Sequence, residues 1–317
     1  MPDESTTEEL PTGADSRLDV ATKPDTVPER EFTVKERSQA QLVFKRFLQH
    51  RLAMISLIVF ILIILFAYVG PLVWKFTPVD ITEDNSAPPS GAHPFGTDAV
   101  GHDTLAQVMR GTQVSLQISV LIAIFATFVG TIWGSVAGYY RGWIDTVLMR
   151  IADLILTLPL LAVAAVLAHQ VGGTWWLIAV VIAALYWAYV ARVARGVVLS
   201  LREKEFVEAS KALGATDARI IFRHLVPNAL GAIIVNLTIL VSIGILLETA
   251  LSFIGFGVTP PDTSLGLLVS TAQTAVDTRP WLFYFPGVFI ILIALTINFI
   301  GDGLRDAFDP QQTKVRA

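Results

Sequence analysis

Six stretches of this chain stay apolar for about twenty residues, and that constrains the fold more than any other feature. A helix rises 1.5 Å per residue, so each run crosses a hydrocarbon layer of about 30 Å with its backbone hydrogen bonds satisfied internally. The runs are Leu52–Trp74, Gln113–Gly138, Asp145–Ala168, Trp175–Ala194, Asn228–Ser252 and Phe283–Leu304. The third and fourth lie in one charge-free run from Leu154 to Ala191, which the Gly172-Gly173 turn divides. Charged residues make up 16% of the chain, against about 25% in soluble domains. The expected fold is all-α: a polytopic membrane protein with six transmembrane helices.

Orientation follows from Lys and Arg placement. With the N-terminus inside, only Lys75, Arg110 and Arg279 of the 23 Lys and Arg residues fall outside. Both termini are therefore expected in the cytoplasm. So is the segment 200–228 between the fourth and fifth spans. Residues 1–30 are acidic, polar and Pro-containing, which predicts a disordered cytoplasmic tail. They lack the basic start and apolar core of a signal peptide. Residues 31–51 mix Phe32, Val34, Leu42, Phe44, Phe47 and Leu48 with Lys35, Arg37, Lys45 and Arg46, as an amphipathic helix on the inner leaflet would. Residues 52–308 then form the membrane domain and 309–317 a short cytoplasmic tail.

Segment 200–228 carries helix signals. Phe206, Ala209, Ser210 and Leu213 recur at i, i+3, i+4 and i+7, and Gly214 stands where an αL residue would cap the helix. Small residues beside bulky ones make a ridge suited to another protein's groove. In the second span, Gly130, Gly134 and Gly138 permit close helix approach, to a neighbouring span or to a second subunit.

The chain contains no cysteine, no phosphate-binding G-x-x-x-x-G-K-[ST] sequence and no His spacing that suits a metal. No nucleophile–base arrangement is evident, so no catalytic or metal-binding residue is expected. Two carboxylates lie at membrane depth. Asp153 is expected to pair with Arg150, three residues earlier. Glu248 shares the fifth span with Thr238, Ser242, Thr249 and Ser252, a polar set that either lines a pathway or bonds to neighbouring helices. A self-sufficient ion-coupled carrier would show more buried carboxylates or broken helices, and neither is evident.

Together these residues resemble the second membrane subunit of bacterial oligopeptide/dipeptide ATP-binding cassette importers, a class that includes nickel permeases. The similarity runs from about Leu42 to Pro310. The cytoplasmic segment resembles the family's coupling motif at Glu208, Ala209, Ser210 and Gly214, ending in Val226-Pro227 with His224 and Asn228. Further matching blocks are His93–Asp98 with Gly101 and Asp103, Met149–Asp153, Leu251–Gly255 with Pro260-Pro261, and Asn298–Asp306 continuing to Asp309-Pro310. Ser210 stands where Ala is usual, His102 where Arg is usual, and Leu265 where Trp is usual.

The resemblance implies the type I importer permease fold in a bacterial cell membrane. It implies a homologous permease, two ATP-binding cassette subunits that bind ATP and Mg, and an extracytoplasmic peptide-binding protein, with no nucleic-acid partner. Phe206, Glu208, Ala209, Ser210, Leu213, Gly214 and Pro227 would couple to the ATPase. His102, Asp103, Pro260, Pro261 and Leu265 would meet the binding protein. Nickel or a nickel chelate is the alternative cargo.

Overall fold

The computed structural model describes residues 39–308, so the readings of 1–30, of Phe32 to Arg37 and of 309–317 lie outside the described residues. Regular structure there is helical. The helices are α1 (Gln39–Gln49), α2 (Arg51–Tyr68), the single turn α3 (Gly70–Val73), α4 (Thr104–Tyr140), α5 (Gly142–Thr157), α6 (Leu160–Val171) and α7 (Trp175–Arg202). They continue with α8 (Glu205–Ala212), α9 (Asp217–Arg219), α10 (Val226–Phe253), α11 (Leu265–Ala272) and α12 (Trp281–Phe308).

The first span is shorter than expected, because Pro71 cannot donate the next helical hydrogen bond. The carbonyl it leaves free, on Ala67, accepts instead from Gln113 Nε2 of α4 at 2.6 Å. The second span is longer than expected. Asp103 caps it, accepting from Ala106 N at 2.8 Å, and its 37 residues reach about 55 Å, well beyond a hydrocarbon layer of about 30 Å.

The third span is not one rod. It breaks at Leu158-Pro159, with α5 and α6 inclined by 84°. Pro159 removes a donor and biases Leu158 to its extended conformation, φ −73°, ψ 139°. A broken helix, absent from the sequence reading, is thus present. Gly172 and Gly173, both at positive φ, do separate α6 from α7 as expected.

Gly130, Gly134 and Gly138 pack on α7 of the same chain. A Cβ at Gly134 would lie 2.2 Å from the Ala191 carbonyl oxygen, and one at Gly130 2.5 Å from Val190 Cβ. Gly134→Ala therefore has to push the two helices apart. We expect it to cost about 1–3 kcal/mol and to lower the unfolding temperature of the purified assembly. Gly196→Ala, with open space at its Cβ position, should leave that temperature unchanged or raise it slightly.

One core joins α2, α4, α7, α10, α11 and α12 through Ile63, Val108, Ala123, Val190, Ile245, Leu265 and Ile293. At one end of the bundle Tyr139, Val198, Val207, Ile220, Ile221 and Leu225 form a separate cluster beneath α8. On the N-terminal helix, Phe47 is buried against Ala53 and Ala307 while Phe44 and Leu48 stay exposed. Exposed apolar side chains such as Ile55, Leu62, Phe128, Leu246 and Ile291 lie on the long helices.

Candidate functional site

The helix expected in the 200–228 segment forms as α8, and its end is a Schellman cap. Gly214 takes φ +78°, its N–H donates to Lys211 O at 2.9 Å, and Ala215 N donates to Ser210 O at 3.0 Å. Val207 is buried on the cluster beneath the helix. The residues turned away from Val207 are exposed: Glu208, Ala209, Leu213 at 88% and Phe206 at 36%. Ser210 is half-buried and donates its hydroxyl to Phe206 O at 2.7 Å. One apolar side chain anchors α8, and a ridge of small and large residues faces outward.

Side chains that no motif singled out brace this helix. Tyr139 lies in the last turn of α4, and its hydroxyl donates to Asp217 Oδ1 at 2.6 Å. Lys211 Nζ lies 5.4 Å from the centre of the Tyr139 ring and the Arg202 guanidinium 5.7 Å from it. Arg202 also donates to the Tyr139 carbonyl, and Arg141 pairs with Glu203. The one sequence signal for this brace is Thr216-Asp217, a helix-start pair, with Thr216 Oγ1 accepting from Arg219 N at 3.4 Å.

Pro227 lies near the start of α10, after the π-helical turn Ile220–Leu225. A proline ring clashes with the carbonyl four residues back, and a wider turn relieves that clash. Asn228 Nδ2 donates to His224 O at 2.6 Å in the same turn. With α9 and α10 this makes one apolar rod from Asp217 to Phe253.

The polar residues of α10 divide. Ser242 is buried; it donates to Ala294 O at 3.1 Å and accepts from Asn298 Nδ2 at 2.9 Å, bonding α10 to α12. Thr238 and Thr249 are half-buried and donate to the carbonyls of Val235 and Ile245 in their own helix. Glu248 is fully enclosed. Its Oε1 accepts from Ser264 at 2.6 Å and Ser252 at 2.8 Å, and its Oε2 from Ser115 at 3.1 Å. Ser115 also accepts from Leu265 N at 3.1 Å. Of the two readings open for this set, Ser242 and Glu248 take the bonding one.

Asp153 pairs with Arg192 of α7 rather than with Arg150 as expected. The cause is that α5 packs along α7, where Arg195 meets Asp145 at 2.6 Å in a parallel pair. A guanidinium on a facing helix was out of sight in the sequence.

At the opposite end, His102, Pro260 and Pro261 come together around an open cleft of about 560 Å³, with Asp98, Gln107, Asp262 and Arg279 also on its wall. Asp103 and Leu265 do not join them. Asp103 is enclosed as the α4 cap and accepts from Trp74 Nε1 at 3.1 Å, with His93 Nδ1 2.7 Å away. Leu265 is enclosed in the core. Neither can touch a partner at this surface, because each is committed to packing within the chain.

Asp98 shapes the cleft's rim. Its Oδ1 accepts from the backbone N–H groups of Val100, Gly101 and His102, each at 2.9 Å. Burial opposes ionisation of this carboxyl, but the hydrogen bonds from His102 and Val100 outweigh it and hold its pKa below the usual 3.8. A depressed carboxyl adds stability that is present above its unfolded pKa and lost as pH falls through its folded one. Asp98→Asn should therefore lower the unfolding temperature at pH 7. That gap should narrow once the pH drops below about 3.8, as paired melts at the two pH values would show.

The geometry defines a polytopic membrane protein with a braced helix exposed at one end and a cleft at the other. Residues 130–314 match the family described as the binding-protein-dependent transport system inner membrane component. Residues 38–89 match the N-terminal TM domain of oligopeptide transport permease C. The chain is 37% identical over 284 residues to the oligopeptide transport system permease protein OppC of Mycobacterium tuberculosis, covering 88% of this chain and 97% of that one. It is 38% identical over 273 residues to OppC of Bacillus subtilis, covering 85% and 88%. It is 42% identical over 270 residues to a putative peptide permease protein of Brucella suis, covering 84% and 89%. Among solved structures, a chain of the MetNI methionine ABC transporter superposes with TM-score 0.54 at 18% identity, covering 64% of this chain and 96% of that chain. That likeness concerns the fold, the type I ABC importer permease fold.

This chain belongs to the family of inner membrane components of binding-protein-dependent transport systems. It is a multi-pass inner-membrane permease subunit of an ABC transporter.

Proposed function

We propose that this chain is one of two related permeases of an ABC importer for oligopeptides or dipeptides, with α8 serving as the lever that partner ATPases move. The exposed ridge of α8, held to the bundle by Val207 and Tyr139, carries this reading. The relatives named as oligopeptide permeases supply the cargo class. The bias of Lys and Arg supplies the orientation, with α8 and both termini in the cytoplasm.

In the proposed cycle, two ATP-binding cassette subunits bind ATP and Mg, and their closure displaces α8. The rod from Asp217 to Phe253 carries that displacement into the membrane, switching a two-state pathway by differential binding to its two forms. An extracytoplasmic binding protein delivers the peptide at the cleft bearing His102, Pro260 and Pro261. This permease contributes no chemistry to the ATP hydrolysis step.

Because the chain has no cysteine, Ala209→Cys gives one addressable thiol on the ridge. In the assembled transporter a short thiol–thiol crosslinker should join it to a cysteine in the helical cleft of an ATPase subunit. ATP binding should change the yield. No capture from Ala209→Cys, alongside efficient capture from the outer cleft, would reverse the assigned orientation.

A further inference from the structure

One side of α5 and α7 is polar and exposed at a depth where lipid would be expected. Arg192 lies about 26 Å along α7 from Trp175 at 1.5 Å per residue, toward the inner edge of a hydrocarbon layer of about 30 Å that starts at Trp175. Its Nε and Nη2 donate to Asp153 Oδ1 at 3.2 and 2.5 Å. Yet the two side chains are 56% and 37% exposed. An ion pair in contact with acyl chains is expensive, so charged groups in spans face a protein interior or water.

The surroundings of the pair form sectors. At 100° per residue around α5, Asp145 and Ala152 mark the face packed on the bundle. Next come Asp153, Thr146, Thr157 and Arg150, the last three exposed. Beyond them lies an apolar sector with Trp143, Val147, Ile151 and Leu154 exposed. On α7, Tyr189, Gly196 and Ser200 are exposed on the same face as Arg192. A lipid-facing helix has no use for a polar sector beside its apolar one.

The backbone gives a second, independent reason. The break between α5 and α6 leaves Leu158 and Pro159 non-helical and exposed. Irregular backbone at membrane depth is tolerated where protein buries it or where it lines a water-filled cavity.

We infer that the strip formed by Thr146, Arg150, Asp153, Thr157 and Arg192 lines the aqueous route through the transporter. Asp153 and Arg192 act there as a paired charge station for zwitterionic cargo such as a peptide with free termini. The cargo part rests on the peptide-import reading above. The aqueous part does not. The strip shares no residue with the α10 set of Thr238, Ser242, Glu248 and Thr249.

The test uses the assembled transporter in membrane vesicles, with a membrane-impermeant thiol reagent on both faces. Thr146→Cys and Thr157→Cys should react at least about tenfold faster than Val147→Cys and Leu154→Cys on the adjacent apolar sector. Equal or slower reaction, as for a strip covered by lipid or by the second permease, overturns the proposal. The charge station has its own readout. In the Thr157→Cys chain, adding Asp153→Asn should raise the ratio of anionic to cationic reagent rates several-fold, and an unchanged ratio removes the station. Neither readout depends on which cargo is carried. A failure of the peptide assignment would instead appear as absent peptide uptake with labelling intact.

Discussion

Gly214→Val is expected to abolish uptake while leaving the chain inserted and assembled. The argument is conformational rather than steric. Gly214 sits at φ +78°, and nothing lies within 4 Å of where its Cβ would be. A β-branched residue has space there but not the backbone conformation, which costs an L residue roughly 1–2 kcal/mol. That strain falls on the two hydrogen bonds closing α8, from Gly214 N and Ala215 N. The ridge then frays at the end where Leu213 projects. Gly214→Asn is the discriminating control, since asparagine tolerates the left-handed region, and it should retain most uptake. Transport assays on both variants, beside ATPase activity of the same assemblies, check this. If the valine and asparagine chains transport equally well, the cap does not matter for coupling. Glu208→Lys, reversing charge on the exposed face without touching the cap, should also reduce uptake.

Glu248→Ala is expected to be the most destabilising single change in the membrane domain. The carboxylate accepts from Ser115 on α4, Ser252 on α10 and Ser264 at the start of α11. Removing it strands three enclosed hydroxyl donors, each costing about 1–3 kcal/mol, although such terms do not add simply. Ser264 also accepts from Leu267 N at 3.0 Å as the α11 cap, and Gly266 leaves the carboxylate its space, since a Cβ there would lie 3.0 Å from Oε1. The loss therefore spreads into α11. Glu248→Gln keeps one acceptor oxygen and should fall between Glu248→Ala and the parent. Unfolding temperature and the amount of assembled transporter in the membrane are the readouts. Full assembly and an unchanged melt for Glu248→Ala would remove the network from the account.

The features legible in this sequence are local ones, and those it hides depend on distant parts of the chain. α8 and its glycine cap were legible because helix periodicity and cap chemistry act within about ten residues. The Gly172-Gly173 division of the long apolar run was legible for the same reason. The break at Pro159 was hidden because apolar residues continue without interruption across it. Asp103 lay in a motif matched to the family and Leu265 at a position where the family has Trp, but such a match says which residues recur, not whether they are exposed. Asp103 is taken up by Trp74, His93 and the start of α4, and Leu265 by the core.

The amino-acid order alone determined that this chain crosses a membrane repeatedly, because apolar length, charge bias and local capping are short-range or compositional properties. It also determined where the exposed helix ends. Only the tertiary structure decided that Asp153 meets Arg192, that three serines converge on Glu248, and that Tyr139 braces α8 through Asp217 and Lys211. Those pairings join residues 16 to 133 positions apart or, for Ser252, one turn away across a network closed by distant helices. Which polar side chains meet depends on how whole helices rotate and pack against one another, and no local pattern encodes that rotation.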